Sequence, residues 1–397
     1  MKAVYVIDTV RTAIGKYGGG LSSVRPDDLL AQAIKGLIFR NRNIPLQEIE
    51  DVVAGAANQS GEDNRNVARM AALLAGLPVT TAGVTVNRLC ASGLQAIMDA
   101  SRAIACGQGE MMIACGVESM TRAPYVMPKA NTPFERNAKI FDTTMGWRFI
   151  NEKLSQMFIP YTMGETAENV AKKWNISRHA QDEFAMESQE KYFKALDREI
   201  WKEEIIPVEV SAGKEVLVFD KDEHPRSTSI EKLASLKPAF MKEGTVTAGN
   251  SSGINDGASA MLLASEEAVK KYGLMPMARV VNMAVAGVEP GLMGIGPVPA
   301  TSKLLKRSQL TVADVGLVEL NEAFASQSIA CIHDLGLDME RVNVNGGAIA
   351  LGHPLGCSGV RISTTLLHEM RRRKSKYGIA TMCVGVGQGA AVLFEGI

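Results

Sequence analysis

The sequence predicts an α/β protein of two homologous halves, residues 1–122 (completed by 250–275) and 276–397, with an insertion at 123–249 between them. Three observations predict it. First, the chain repeats itself. Residues 44–59, IPLQEIEDVVAGAANQ, read like 310–325, LTVADVGLVELNEAFA. VNRLCASGL around Cys90 reads like HPLGCSGV around Cys357, and MMIACGVES around Cys115 reads like ATMCVGVGQ around Cys383. Anchors that share nearly one offset mark a duplication, and a duplication constrains the architecture before any motif is read. Second, both halves alternate β-rich runs with helical patterns, the signature of a mostly parallel sheet covered by helices. Third, the insertion differs in composition, with a proline-bounded stretch at 127–133 and a long polar helical pattern over 167–197.

Taken in order, residues 2–8 (KAVYVID) read as a strand, because Asp8 arrives too soon for a signal peptide. Val52-Val53-Ala54, Val84-Thr85-Val86 and Met111-Met112-Ile113 are further strands, and Leu94, Ile97, Met98 and Ile104 share one helical face. In the insertion, Ser177 is the expected N-cap of the helix holding Phe184, Ser188 and Tyr192. Such an insertion is suited to covering a site or meeting partner subunits. Residues 257–265, GASAMLLAS, give one more strand that completes the first half. The second half repeats the plan: 278–294 echoes the N-terminal strand, 315–320 and 379–383 are strands, and Leu366, Leu367 and Met370 line a helix.

Composition narrows the function classes. Lys+Arg and Asp+Glu are 43 each, so nothing in the charge balance points to nucleic acid or an anionic membrane. Hydrophobic residues at 46% with charged ones at 22% describe an ordinary globular chain, and no apolar run approaches the ~18 residues of a bilayer span. Six cysteines without a CxxC pair suit a reduced cytoplasmic protein and neither a disulfide scaffold nor a metal site.

The chemistry gathers at glycine-rich turns. Cys90 stands between the run 84–86 and a helix, where backbone N–H groups and the helix dipole favour a thiolate. Small neighbours, Ala91-Ser92-Gly93, leave room for an acyl group. A buried structural cysteine is the commoner alternative at such a position. His353 lies in NGGAIALGHPLG (345–356), held before Pro354 and among glycines, as an acid/base imidazole must be held, although a lone histidine is more often structural. By the repeat it precedes the counterpart of Cys90 by four residues, so if the halves pack about a pseudo-twofold axis both helix starts face one cleft. The other histidines carry no such framework: His179, His224 and His368 read as solvent-facing, and His333 lacks the glycines. Cys383 ends a strand and enters GVGQG (385–389), whose glycines, Gly385 among them, free backbone N–H groups for an oxyanion. A following strand excludes a dinucleotide fingerprint there. Asn321, at the end of another strand, either positions a water or makes a plain turn. Two cysteines, one histidine and one asparagine at element ends suit acyl transfer through a thioester, with no metal and no nicotinamide.

VNRLCASGLQA, NEAFA, GGAIALGHPLGCSG and CVGVGQG closely resemble the four catalytic segments of thiolases, in order and over the whole chain. The resemblance implies a five-layered α/β/α/β/α sandwich of two duplicated halves plus a loop domain that binds CoA and shapes a homo-oligomer, dimer or tetramer. It implies Cys90 as acyl-carrying nucleophile, His353 as its base and Cys383 as the acid/base for the acetyl α-proton. Asn321 (through a water) with His353, and the N–H groups of Cys90 and Gly385, are the implied oxyanion holes. Met163 and Phe324 are implied pocket walls, and Ser252, Ala248 and Arg226 CoA contacts. CoA is then a co-substrate of a ping-pong cleavage of 3-ketoacyl-CoA, and no cofactor is bound permanently.

GEDNRNVARMAALLAGLP and FDTTMGWRF draw the chain toward the degradative branch that includes 3-oxoadipyl-CoA thiolase. Thr162 stands where the acetoacetyl-CoA-forming branch typically has His. A terminal carboxylate on the substrate needs a cation, for which Arg148 is the candidate. The alternatives are an acetoacetyl-CoA-forming acetyltransferase and, more remotely, a decarboxylating ketoacyl synthase, which would carry His or Asn in place of Cys383.

Overall fold

In the computed structural model, which describes residues 2–397, the duplication is visible as two sheets with one strand order. The first contains β1 (Val4–Thr12), β2 (Ile49–Gly55), β3 (Ala82–Val86), β4 (Met111–Ser119) and β5 (Asn255–Ser265), in the order β1-β5-β4-β2-β3. The second contains β6 (Ala278–Gly287), β7 (Leu317–Leu320), β8 (Tyr377–Val384) and β9 (Gln388–Gly396), in the order β6-β9-β8-β7. An isolated parallel bridge, Val318 to Val342, takes the place that β3 holds in the first sheet. The two sheets touch along a short antiparallel seam, where Tyr5 and Val6 of β1 meet Arg279 and Ala278 of β6.

Neither sheet is mostly parallel. β1-β5 and β5-β4 are antiparallel, β4-β2 and β2-β3 parallel, and the second sheet repeats that mixture. Each half closes on a C-terminal strand, β5 or β9, inserted antiparallel between two earlier ones. An alternation rule written for βαβ crossovers does not anticipate such a strand.

Five layers follow from where the helices bury their apolar faces. α3 (Ser92–Ala105) and α8 (Leu355–Arg373) lie between the sheets, and Leu94, Ile97, Val360 and Leu366 share a core with Met261 and Phe394 from the two sheets. α1 (Pro26–Arg40) and α2 (Val67–Leu74) cover the outer face of the first sheet. α6 (Pro297–Ser308) and α7 (Ala325–Leu335) cover that of the second. α8 is polar by sequence yet buried over nearly its whole length, and Arg361 and His368 are fully enclosed with it. His368 therefore faces the interior rather than solvent: its Nε2 lies 3.0 Å from the carbonyl of Thr9.

The polar pattern over 167–197 is two helices rather than one: α4 (Met163–Lys173) and α5 (Arg178–Asp197). Asn175 at φ 53° breaks the run, and Ser177 caps α5 as expected, accepting the Ala180 N–H. Thr162 caps α4 in a reciprocal box with Glu165. No helix among the described residues is long and apolar enough to cross a membrane.

Candidate active site

Both helices of the middle layer begin at the site. α3 and α8 cross at their first turns, where a Cβ on Gly93 would stand 2.8 Å from the Gly356 carbonyl. Gly93 is thus small because α8 passes there, and acyl access alone does not explain it. The crossing brings together the segments three residues upstream, which carry Cys90 and His353. The expected meeting of two helix starts is present.

Cys90 follows Leu89, which has φ 46°, and precedes the first helical residue of α3 by two positions. The left-handed leucine is a costly conformation of order 1–3 kcal/mol that the surrounding packing must impose. Ser92 Oγ holds the turn, accepting the Arg88 N–H at 2.9 Å and donating to the Leu89 carbonyl at 2.7 Å. Here the structure corrects an expectation. Burial pushes the Cys90 thiol up to about 11, against the pull of the Gly385 N–H and its own, and the Glu118 charge adds to the rise. Desolvation outweighs the helix dipole, so Cys90 rests as a thiol and needs a base.

His353 supplies the features of one. Burial, helped by the Arg361 charge, depresses its imidazole to about 3, so the ring is neutral. Nδ1 lies 2.6 Å from Ser358 Oγ, and that hydroxyl donates to the Pro354 carbonyl at 2.8 Å. A serine has one proton to give, so the Nδ1 position carries the ring hydrogen and Nε2 keeps its lone pair. Nε2 faces the Asn321 amide nitrogen at 3.4 Å. The backbone is fixed as firmly: the His353 N–H donates to Asn255 Oδ1 at 3.0 Å. Gly352 sits at φ +103°, where a side chain would be strained and its Cβ would overlap the Asn255 amide.

Asn321 extends β7 beyond its last residue, and its N–H bonds the Thr381 carbonyl of β8 at 3.0 Å, two residues before Cys383. Its buried Oδ1 has no partner, an acceptor free for a water or a reacting group. Cys383 packs with Phe324, Ala323 and Met293, with Met163 at the margin. Its thiol is held well above the ordinary range chiefly by burial, with the neighbouring Cys90 adding to the rise. The turn that follows carries Val386 at φ 62°, a strained β-branched residue next to Gly385. Ser252 donates its N–H to the Ala323 carbonyl at 3.0 Å, and Arg226 Nη2 donates to the Ala248 carbonyl at 2.9 Å. Among the described residues Arg148 is half-buried and forms no ion pair. Its neighbour Trp147 bonds the Tyr161 carbonyl at 2.9 Å, two residues before Met163.

Sequence reasoning missed Ser358, Asn255 and Glu118. Glu118 is fully buried and accepts the N–H groups of Ala57, Asn58 and Gly356, tying the first turn of α8 to the first half. Burial lifts its carboxyl to about 7. The signal was present: an acidic side chain inside the apolar run MMIACGVES. His224, read as solvent-facing, has a buried Nε2 without a partner, and burial lowers it to about 4.

The family models Thiolase, N-terminal domain, and Thiolase, C-terminal domain, match residues 4–267 and 274–396. The chain belongs to the thiolase family. This thiolase is 55% identical to the β-ketoadipyl-CoA thiolase of Pseudomonas aeruginosa over 99% of each chain. It is 53% identical to the 3-oxoadipyl-CoA/3-oxo-5,6-dehydrosuberyl-CoA thiolase of Escherichia coli over 100% of each chain. The human mitochondrial 3-ketoacyl-CoA thiolase, solved in complex with CoA, superimposes with TM-score 0.93 at 41% identity, covering 100% of this chain and 98% of the other. As a thiolase the chain is an acyltransferase enzyme with the five-layered fold, as its motifs implied.

Proposed function

We propose that this enzyme cleaves 3-oxoadipyl-CoA, a 3-oxo-dicarboxylyl thioester, with CoA to give succinyl-CoA and acetyl-CoA. The observation that carries the reading is the pairing of His353 with Asn321 and of Cys90 with Cys383 where the starts of α3 and α8 cross, in a chain more than half identical to 3-oxoadipyl-CoA thiolases along its length. His353 Nε2 takes the Cys90 proton, and the sulfur attacks the C3 ketone. The C2–C3 bond breaks, its electron pair passes to the acetyl-CoA enolate, and Cys383 protonates C2. A high thiol pKa suits that step, since Cys383 then rests in the proton-bearing form. The CoA thiol gives its proton to the Cys383 thiolate and attacks the acyl-Cys90, and the departing Cys90 sulfur takes back the proton held on His353, restoring both cysteines. Asn321 through a water, with the imidazolium, and the N–H groups of Cys90 and Gly385 stabilise the oxyanions. Met163 and Phe324 wall the pocket, and Ser252, Ala248 and Arg226 meet CoA.

The unpaired Arg148, tied to α4 through Trp147 and Tyr161, supports a carboxylate-terminated substrate. A panel of 3-oxoadipyl-CoA, 3-oxohexanoyl-CoA and acetoacetyl-CoA tests it. The dicarboxylyl substrate should have the highest kcat/KM, and Arg148→Ala should raise its KM roughly tenfold with little change for the others. If 3-oxohexanoyl-CoA equals or exceeds it, the enzyme is a general β-oxidation thiolase. Exposed Phe134, Met157 and Ile159 in the insertion support a homo-oligomer, because so much apolar surface in one segment calls for cover.

Iodoacetamide checks the nucleophile. Cys115, Cys331, Cys357 and Cys383 are buried and Cys106 is exposed. Alkylation of Cys90 should track inactivation and be blocked by acyl-CoA, while Cys106 labels without loss. Inactivation that follows Cys106, Cys115 or Cys331 removes Cys90 from its role.

A further inference from the structure

Arg226 ends a short strap, residues 222–226, that belongs to the insertion yet is anchored on the first half. Its anchor is Arg11 of β1, a fully buried guanidinium. Nη1 and Nη2 donate to Asp222 Oδ1 and Oδ2 at 2.7 and 3.1 Å, Nε donates to Glu204 Oε1 at 2.7 Å, and the Trp201 ring lies 5.2 Å away. Asp222 also accepts the Ile14 N–H at 2.8 Å and the Tyr192 hydroxyl at 3.3 Å. Glu223 accepts the N–H groups of Lys16 and Gly20, both at 3.1 Å. His224 packs on Gly253, one residue past Ser252. Arg226 donates its N–H to Gln189 Oε1 at 2.9 Å before its side chain reaches the Ala248 carbonyl.

Apolar side chains would hold the insertion to β1 at less desolvation cost than a buried ion pair. What a bidentate pair adds is direction, since a planar fork fixes the carboxylate that receives it. Each residue from Asp222 to His224 is fastened to a neighbour, and the next charged group along the strap is the exposed guanidinium beside 248–252. We infer that the Arg11–Asp222 pair positions Arg226 for the nucleotide phosphates of CoA. Fixing the strap in advance spares CoA the ordering of a five-residue segment, a gain that appears as affinity for the nucleotide half. Arg11 and Asp222 touch no reacting atom and act as positioning residues. The inference rests on the proposed contact of Arg226 with CoA.

The test compares CoA with pantetheine, which lacks the nucleotide, as thiol acceptors in thiolysis. Arg226→Ala, Asp222→Asn and Glu223→Gln are measured on the full-length enzyme. Arg226→Ala and Asp222→Asn should each raise KM for CoA roughly tenfold and leave KM for pantetheine near wild type. Glu223→Gln should shift the CoA value in the same direction by less. If Arg226→Ala leaves KM for CoA unchanged, the CoA contact itself fails. If Arg226→Ala acts but neither strap variant does, the positioning role is overturned. Equal losses with both acceptors also overturn it, because a general disturbance would not single out the nucleotide. Should Asp222→Asn not fold, Glu223→Gln decides, since the bonds it accepts from Lys16 and Gly20 are exposed at the surface.

Discussion

Cys383→Ser should abolish carbon–carbon cleavage while Cys90 is still slowly acylated by acetyl-CoA. The two thiols sit side by side, each raised by burial and Cys383 raised further by its neighbour. In the proposed mechanism they do different work. Cys90 forms a bond to carbon through sulfur, a step for which His353 takes the proton. In that mechanism Cys383 moves a proton to or from the acetyl α-carbon. A serine hydroxyl keeps nearly the same volume in the pocket of Phe324 and Met293, so folding should be unaffected. Its far higher intrinsic pKa makes it a poor partner for a carbon acid. General acid–base groups contribute about 10²–10⁴ in rate, and thiolysis should fall by that order or more. The measurements are turnover of 3-oxoadipyl-CoA, exchange of the acetyl protons of acetyl-CoA into D₂O, and mass-detected acyl-Cys90. Retained proton exchange in Cys383→Ser would sink the assignment.

The duplication was legible because it leaves a local trace, whereas the five layers were implied only by the resemblance to thiolases. The repeat is a similarity in order, strands are apolar runs, and the site residues lie at glycine-marked element ends. The antiparallel placement of β5 and β9 left none, since pairing direction depends on which distant strands close the sheet. The state of Cys90 was misread for a related reason. A helix start is visible in sequence, but the burial that outweighs it is set by tertiary packing, which the local sequence does not show. His368 failed likewise: Arg371-Arg372-Arg373 beside it read as a surface, whereas the helix preceding them is the middle layer of the sandwich.

Glu118 and Asn255 show what a second reading of the sequence could recover. Each is a polar side chain in a strand whose other residues are buried, and each fastens backbone of the opposite half: Glu118 holds Gly356, and Asn255 holds His353. A buried carboxylate or amide without a local partner is costly, so its presence in such a run signals a tertiary backbone bond. Strain gives a complementary signal that only coordinates disclose. Leu89 and Val386, both left-handed, flank the nucleophile and the Gly385 N–H, the two places where backbone must be aimed rather than merely folded.

His353→Ala should depress both half-reactions, unlike Cys383→Ser, because in the proposed mechanism the imidazole serves the nucleophile and then one oxyanion. With the Cys90 thiol at about 11, little thiolate exists near pH 7 without a base. Loss of a base and of an oxyanion donor, each worth about 10²–10³ or more, should together lower turnover at least ~10³-fold. Ser358→Ala is the discriminating companion. It leaves the ring in place but removes the acceptor that fixes the hydrogen on Nδ1, so the imidazole is free to carry it on Nε2, where it cannot accept the Cys90 proton. A smaller loss is expected there, of order 10–10² in the rate of Cys90 acylation, with the acyl-CoA KM little changed. Ser358→Thr, which retains the hydroxyl, should recover most of it if the added methyl is accommodated in the buried turn. Stopped-flow acylation of Cys90 by acetyl-CoA reads all three variants. If Ser358→Ala acylates at the wild-type rate while His353→Ala does not, the serine is only packing and another group sets the tautomer. If His353→Ala acylates as fast as Cys383→Ser, the division of labour between the two residues is wrong.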